Sequence, residues 1–265
     1  MNASHPDSQT PILPHSTSAR ILAVIPARYG STRLPGKALV PLCGKPLVQW
    51  VYERAKQAKV LGGVIVATDD DRIRKAVESF GGRVVMTRAD HPSGTDRIAE
   101  AIANEKADVI INVQGDEPLI DPKLIDEVAL ALHGDKAWDM ATAATPLKTE
   151  AELKNPAIVK VVWDASGRAL YFSRSAIPHV RDGGGVAAGL HFRHIGIYGY
   201  RRAFLEKLVK APLCELEVAE KLEQLRALHI GCRMKVIVTN DVGLGVDTPE
   251  DVARAESALR AAGLA

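Results

Sequence analysis

The sequence predicts an α/β fold: a mostly parallel mixed sheet with helices covering both of its faces. Three observations carry this. Apolar runs of strand length alternate with helix-length amphipathic stretches. The runs are almost unbroken by polar residues, as in Val109–Val113, where only Asn112 interrupts, and strands buried on both faces have that pattern. Helix start and stop signals stand between the runs.

In order, Ile21–Ile25 reads as the first strand. Pro46 opens a helix with Leu47, Val48, Val51, Ala55 and Ala58 on one face. Val64–Ala67 is the next strand, and a helix from Asp69 to Phe80 has an acidic first turn and stops at Gly81-Gly82. Val84–Met86 is a short strand, Thr95 to Asn104 a helix and Val109–Val113 a strand. Asp121-Pro122 is a cap and first-turn proline for the helix over Leu124–Leu132. Met140–Thr145 is a strand, and Thr149-x-x-Glu152 is a capping box. Ile158–Trp163 and Ala169–Phe172 flank the turn Asp164–Gly167 as a hairpin. Residues 181–189, with four glycines, form a mobile loop. The strand His194–Tyr200, helices over Arg202–Lys210 and Glu215–His229, and the strand Val236–Val238 follow. Thr248-Pro-Glu-Asp251 opens the last helix. With no repeat and no linker, residues 20–265 read as one domain, with about 157–200 as an antiparallel insertion. Residues 1–19, rich in Ser, Thr, Pro and His and lacking the apolar centre of a signal peptide, read as a disordered leader.

Composition narrows the function. The 265 residues are 46% hydrophobic and 25% charged, with a net charge of +2, so no overall field argues for nucleic acid or a membrane surface. Aromatics make up only 5%, and no polybasic stripe carries stacking rings. No apolar run approaches the ~18 residues that span a bilayer. Cys43, Cys214 and Cys232 are scattered, which fits neither a zinc site nor a disulfide framework and suits a cytoplasmic protein.

The chemistry starts where the first strand ends. The loop to Lys37 carries Arg28, Arg33 and Lys37, tight turns at Gly30, Pro35 and Gly36, and the hydroxyls of Ser31 and Thr32. Three cations on so short a loop repel one another unless an anion sits among them. Free backbone N–H groups and fixed positive charge at a strand–loop–helix junction suit a polyphosphate. Neither G-x-G-x-x-G nor G-x-x-x-x-G-K-[ST] is present, which disfavours the dinucleotide fold and the P-loop ATPases.

Three further clusters stand at strand ends, where open α/β sheets bind ligands. In Val113-Gln-Gly-Asp-Glu-Pro118, Asp116 is a natural magnesium ligand beside phosphates, although a polar turn before the Asp121 cap would read the same. In Gly243–Asp251, helix initiation accounts for Thr248, Pro249 and Asp251 and leaves Asp247 over; with Asp116 it makes a possible two-carboxylate site. In Met86–Arg97, the Ser93-Gly94-Thr95 turn reads equally as a cap, while Arg88, Asp90 and His91 exceed what a cap needs.

Taken in order, P-A-R-x-x-S-T-R-L-P-G-K, A-T-D, T-R-A-D-H-x-S-G-T-D-R, V-Q-G-D-E-P, Y-F-S-R-x-x-I-P, R-H-I-G-I-Y-G-Y, L-E-Q-L-R and G-V-D-T-P-E-D resemble the 3-deoxy-manno-octulosonate (Kdo) cytidylyltransferases, over roughly residues 21 to 258. The resemblance implies a three-layer sandwich of the nucleotide-diphospho-sugar transferase type. It also implies CTP and Kdo as substrates, Mg2+ as cofactor and a homodimer. It assigns Arg28, Ser31, Arg33 and Lys37 to the triphosphate, with Arg33 and Lys37 stabilising the leaving pyrophosphate. Asp116 and Asp247 would hold magnesium, and Arg88, Ser93 and Gly94 would flank the cytidine. Gln114, Arg174, His194, Tyr198, Glu217 and Gln224 would form the sugar pocket. Tyr198 equally fits a core strand position, and Glu217 and Gln224 an exposed helix face. Ala38 stands where the family usually has proline, which bears on loop stiffness rather than chemistry, and the short glycine-rich loop 182–189 lies near the implied sugar pocket. Two rivals remain at this level: a cytidylyltransferase for 8-amino-Kdo or a sialic acid, and a catalytically silent nucleotide-binding protein.

Overall fold

A computed structural model describes residues 21–31, 33–183, 185–241 and 243–265. The leader read over residues 1–19, Thr32 of the cationic loop and residue 184 of the glycine-rich loop lie outside the described residues. The first apolar run is β1 (Ile21–Ala27), and its side chains alternate between two cores, as a pleated strand requires. Ile21, Ala23 and Ile25 face one core, with side chains of α1 (Leu47–Ala55), α4 (Pro122–Gly134) and α9 (Pro249–Ala261). Leu22 and Val24 face the other, with α3 (Gly94–Ala101), α6 (Arg202–Leu208) and α8 (Gln224–His229). Helices on both faces of one sheet give the three layers expected.

β1 pairs in parallel with β4 (Gly63–Thr68) on one side and β6 (Val109–Asn112) on the other. β5 (Val84–Met86) lies parallel to β4, and α2 (Asp71–Ser79) crosses between them. β10 (Phe192–Arg201) runs antiparallel between β6 and β7 (Met140–Pro146), and β11 (Met234–Val238) is parallel to β7. The order is therefore β11-β7-β10-β6-β1-β4-β5, with β10 the one reversed strand along it. The hairpin of β8 (Lys160–Trp163) and β9 (Ala169–Ser173) joins β10 where Lys160 pairs with Arg193. The antiparallel segment thus does two things: β10 enters the main sheet, and the hairpin stands beside it. The predicted capping box forms at Thr149 and Glu152, opening α5 (Glu150–Lys154).

Two local features differ from expectation. A small hairpin, β2 (Pro41–Leu42) with β3 (Lys45–Pro46), turns on Cys43 and Gly44, both at positive φ, and α1 starts after it at Leu47. The single helix expected over Glu215–His229 is two: α7 (Glu215–Glu220) ends where Lys221 takes a left-handed φ of 54°, and α8 resumes three residues later. A lysine carries no sequence signal for that conformation, which usually falls to glycine or asparagine.

Candidate active site

The strands β1 and β6 end side by side, and their loops build the site. After β1 the chain turns back at Gly36, whose N–H donates to Tyr29 O at 3.1 Å. Gly36 is left-handed (φ 67°), and a Cβ there would stand 3.1 Å from the Tyr29 ring. The turn puts Lys37 at the head of a short 3-10 helix, Lys37–Leu39. After β6, Gly115 passes so close to β1 that a Cβ would meet Pro26 O at 2.8 Å. Only glycine brings the next residue, Asp116, in so closely.

Asp247 arrives from the other end of the chain by two main-chain devices. The Val246 N–H donates to Asp116 O at 2.9 Å. Asp251, in the capping box of α9, accepts from the N–H groups of Asp247 and Thr248, at 2.9 Å each. The helix-start and functional readings of this motif are thus compatible, since the cap holds the backbone of the residue left over.

These loops converge on one ammonium. Lys37 Nζ lies 2.6 Å from Asp116 Oδ2 and 3.0 Å from Asp247 Oδ1. Arg33 Nη2 lies 3.1 Å from Asp247 Oδ2. Burial acts to lower the Lys37 pKa, but the Asp116 and Asp247 carboxylates outweigh it, and the pKa lies above that of a free lysine. The two carboxylates therefore already share a cationic centre. Among the described residues no group of three His, Cys, Asp or Glu gathers as a self-sufficient metal cage. A pair of carboxylates beside a cationic loop fits magnesium, which is typically held by one or two carboxylates together with substrate phosphates and water.

A cavity of about 450 Å³ opens here, lined by Arg28, Ser31, Arg33, Lys37, Asp116 and Asp247, and on its far side by Ser93 and Gly94. Ser93 also serves as the predicted cap: its Oγ accepts from Thr95 N and Asp96 N and opens α3. A second cavity of about 180 Å³ adjoins it, lined by Gln114, Tyr198 and Gln224. Pro26, Gly94 and Gln114 belong to both walls.

Four expected residues line neither cavity. Arg88 is exposed, ion-paired with Asp90 and Glu100, and faces a separate groove behind His91 and Pro92. Arg174 donates from Nε to Glu220 O (2.7 Å) and from Nη1 to Pro156 O (3.0 Å). Glu217 pairs with the buried Arg226 (3.2 Å), which in turn pairs with Glu223 (3.3 Å). His194 packs edge-on to Phe172, 5.0 Å between ring centres, and beside Tyr198 at 5.4 Å.

The surroundings of His194 fix its state. β10 bulges between Ile195 and Tyr198, and Thr142 Oγ1 fastens the bulge by donating to Ile197 O at 2.8 Å. With its one proton used there, the hydroxyl accepts from His194 Nε2 at 2.9 Å, which sets the tautomer. Burial, aided by the Arg193 charge, pushes the His194 pKa down to about 3. The ring is therefore neutral.

Two charged lining residues escaped the sequence reading. Arg97 lines the larger cavity while almost wholly buried, held by Thr87 Oγ1 at 2.5 Å and Asp69 at 3.2 Å. Glu223 lines the smaller one, and burial holds its carboxyl above the ordinary glutamate pKa. Both sit inside motifs already singled out, S-G-T-D-R and L-E-Q-L-R, so position in a motif was the only signal.

The sequence matches the cytidylyltransferase family over residues 22–237. The 3-deoxy-manno-octulosonate cytidylyltransferase of Geobacter sulfurreducens is 50% identical over 248 residues, covering 91% of this chain and 99% of the relative. That of Syntrophotalea carbinolica is 53% identical over 247 residues, covering 91% and 98%. The chain belongs to the 3-deoxy-manno-octulosonate cytidylyltransferase family. A solved CMP:2-keto-3-deoxy-manno-octonic acid synthetase complexed with CTP is 42% identical with a TM-score of 0.88, and the match covers 92% of this chain and 99% of that one. The 4-diphosphocytidyl-2C-methyl-D-erythritol synthase of Anaerococcus prevotii, 14% identical with a TM-score of 0.60 over 91% and 99%, shares the fold alone. The two adjoining cavities have Gln114 in their common wall.

Proposed function

We propose that this chain transfers CMP from CTP to the anomeric hydroxyl of Kdo, releasing pyrophosphate, with magnesium as cofactor, and so activates Kdo for lipopolysaccharide synthesis. The observation that carries the reading is the convergence of the Asp116 and Asp247 carboxylates on Lys37 Nζ, at 2.6 and 3.0 Å, in the wall of a cavity that adjoins a second one at Gln114. The triphosphate occupies the larger cavity against Arg28, Ser31, Arg33 and Lys37. Arg33 and Lys37 neutralise charge that grows on the departing pyrophosphate, and fixed cations do this without reorganising. Asp116 and Asp247 would hold the magnesium ion, which when bound would supply charge screening and a more acidic attacking hydroxyl. Gln114 orients the acceptor toward the α-phosphorus, where positioning contributes most. Kdo occupies the smaller cavity, among Tyr198, Glu223 and Gln224. Burial keeps the Tyr198 phenol well above its usual pKa, so it stays a neutral hydrogen-bonding group.

The same reading includes a cytoplasmic homodimer. The described cysteines are free, as a reducing compartment keeps them, and no described helix is long and apolar enough to cross a membrane. The exposed side chains of Leu170, Leu213, Leu216 and Val218 supply apolar surface for self-association, which light scattering tests directly. The deciding experiment follows pyrophosphate release from CTP and Mg2+ with Kdo, 8-amino-Kdo or N-acetylneuraminate. Release with Kdo alone is expected. Release only with another acid sugar overturns the acceptor, and silence with all three overturns the enzyme reading.

A further inference from the structure

Lys160 is fully buried on β8, and its ammonium donates to three main-chain carbonyls: Ile158 O and Arg174 O at 2.6 Å, and Asn155 O at 3.0 Å. All three of its protons are used. A buried charge costs stability that a methionine of similar length would not, so its presence points to what the three bonds hold. They tie the turn at 155–158 to the end of β9. That end is tied onward: Ser173 Oγ donates to Glu220 Oε1 (2.6 Å) and the Arg174 N–H to Glu220 Oε2 (2.9 Å). Arg174 Nε returns a bond to Glu220 O at 2.7 Å.

Glu220 is the last residue of α7, next to the left-handed Lys221. Glu223 and Gln224, which line the smaller cavity, follow within one turn. Helices of six residues such as α7 and α8 have too few internal hydrogen bonds to hold their own orientation. Their direction is set by what ties them down.

We propose that Lys160, Arg174 and Glu220 form a clasp between the β8–β9 hairpin and the α7–α8 break, and that this clasp positions Glu223 and Gln224 for the acid sugar. None of the three lines either cavity, so they are positioning residues acting through their neighbours. The inference rests on the reading of the smaller cavity as the acid-sugar site, and it gives Arg174 an indirect role there.

The test is steady-state kinetics of the full-length enzyme carrying Glu220→Ala or Lys160→Met. The KM for Kdo should rise about tenfold, the scale of one lost hydrogen bond, with kcat and the KM for CTP within about twofold. Ser173→Ala, which removes one bond of the clasp and touches neither cavity, should move the same constant in the same direction and covers any failure of the larger changes to fold. An unchanged KM for Kdo overturns the clasp. So does a fall in kcat and in affinity for both substrates together with the melting temperature, because that is the behaviour of a merely structural contact. If the unaltered enzyme turns over a different acid sugar and not Kdo, the proposed acceptor fails, and the same split is then read with that sugar.

Discussion

The proposed nucleotide side and the proposed sugar side of this site are built by different means. On the nucleotide side Arg28, Ser31, Arg33 and Lys37 come from one loop, and the two carboxylates are set by main-chain contacts: Gly115 against Pro26 O, and Val246 N–H on Asp116 O. On the proposed sugar side Gln114, Tyr198, Glu223 and Gln224 come from the loop after β6, from β10 and from the start of α8, and side-chain relays orient them. Apart from Gly115 itself, main-chain contacts tolerate most substitutions nearby, whereas relays do not. Remote mutations should therefore shift acceptor choice far more readily than nucleotide binding.

The largest expected effect tests the nucleotide side directly. Asp116→Asn or Asp247→Asn should each cut turnover about a hundredfold or more, with the fold retained by circular dichroism, as pyrophosphate release measures. Retained activity in both variants breaks the two-carboxylate site. Next, Gln224→Ala should raise the KM for Kdo about tenfold and leave that for CTP alone; equal changes in both would erase the division between the cavities.

A smaller effect comes from His194. Its folded pKa of about 3 lies below the unfolded value of 6.5, so between these values the unfolded chain binds more protons and stability falls as pH drops. The loss begins near pH 6.5 and approaches a slope of about 1.4 kcal/mol per pH unit for this one group. His194→Gln should flatten that slope in denaturant titrations at pH 7 and pH 5, and an unchanged slope would place the histidine in water. The smallest effect is expected of Arg88→Ala: an exposed guanidinium outside the main cavity should alter the KM for CTP less than about twofold.

The contrast also explains what was legible in the sequence. The strands β1, β4 and β6 were legible as apolar runs between helix caps because each is local and buried on both faces, and β5, at the sheet edge, as a short apolar run. Lys37 stood out because three cations on one short loop repel unless an anion joins them, Asp247 because the helix cap did not need it, and Asp116 only once paired with these, since a polar turn reads the same. Side-chain relays leave no such trace. Nothing local announces that Glu217 reaches the cavity only through Arg226, or that Arg174 turns toward the carbonyls of Pro156 and Glu220. Arg97 was hidden for the opposite reason: its partner Asp69 lies on another loop, and a buried arginine looks like any helix-surface arginine in sequence. The split at Lys221 was invisible because a left-handed lysine is imposed from outside, by the tertiary contacts of Glu220.

The contact between Val246 and Asp116 has an evolutionary side. Its donor is a backbone N–H, which nineteen of the twenty amino acids possess. The separation of the two carboxylates is therefore insulated from drift in the identity of residue 246, so long as the replacement fits the fully buried space around it. Proline alone removes the donor itself. A lineage can thus vary the lining around this centre while the distance that the chemistry depends on stays constant.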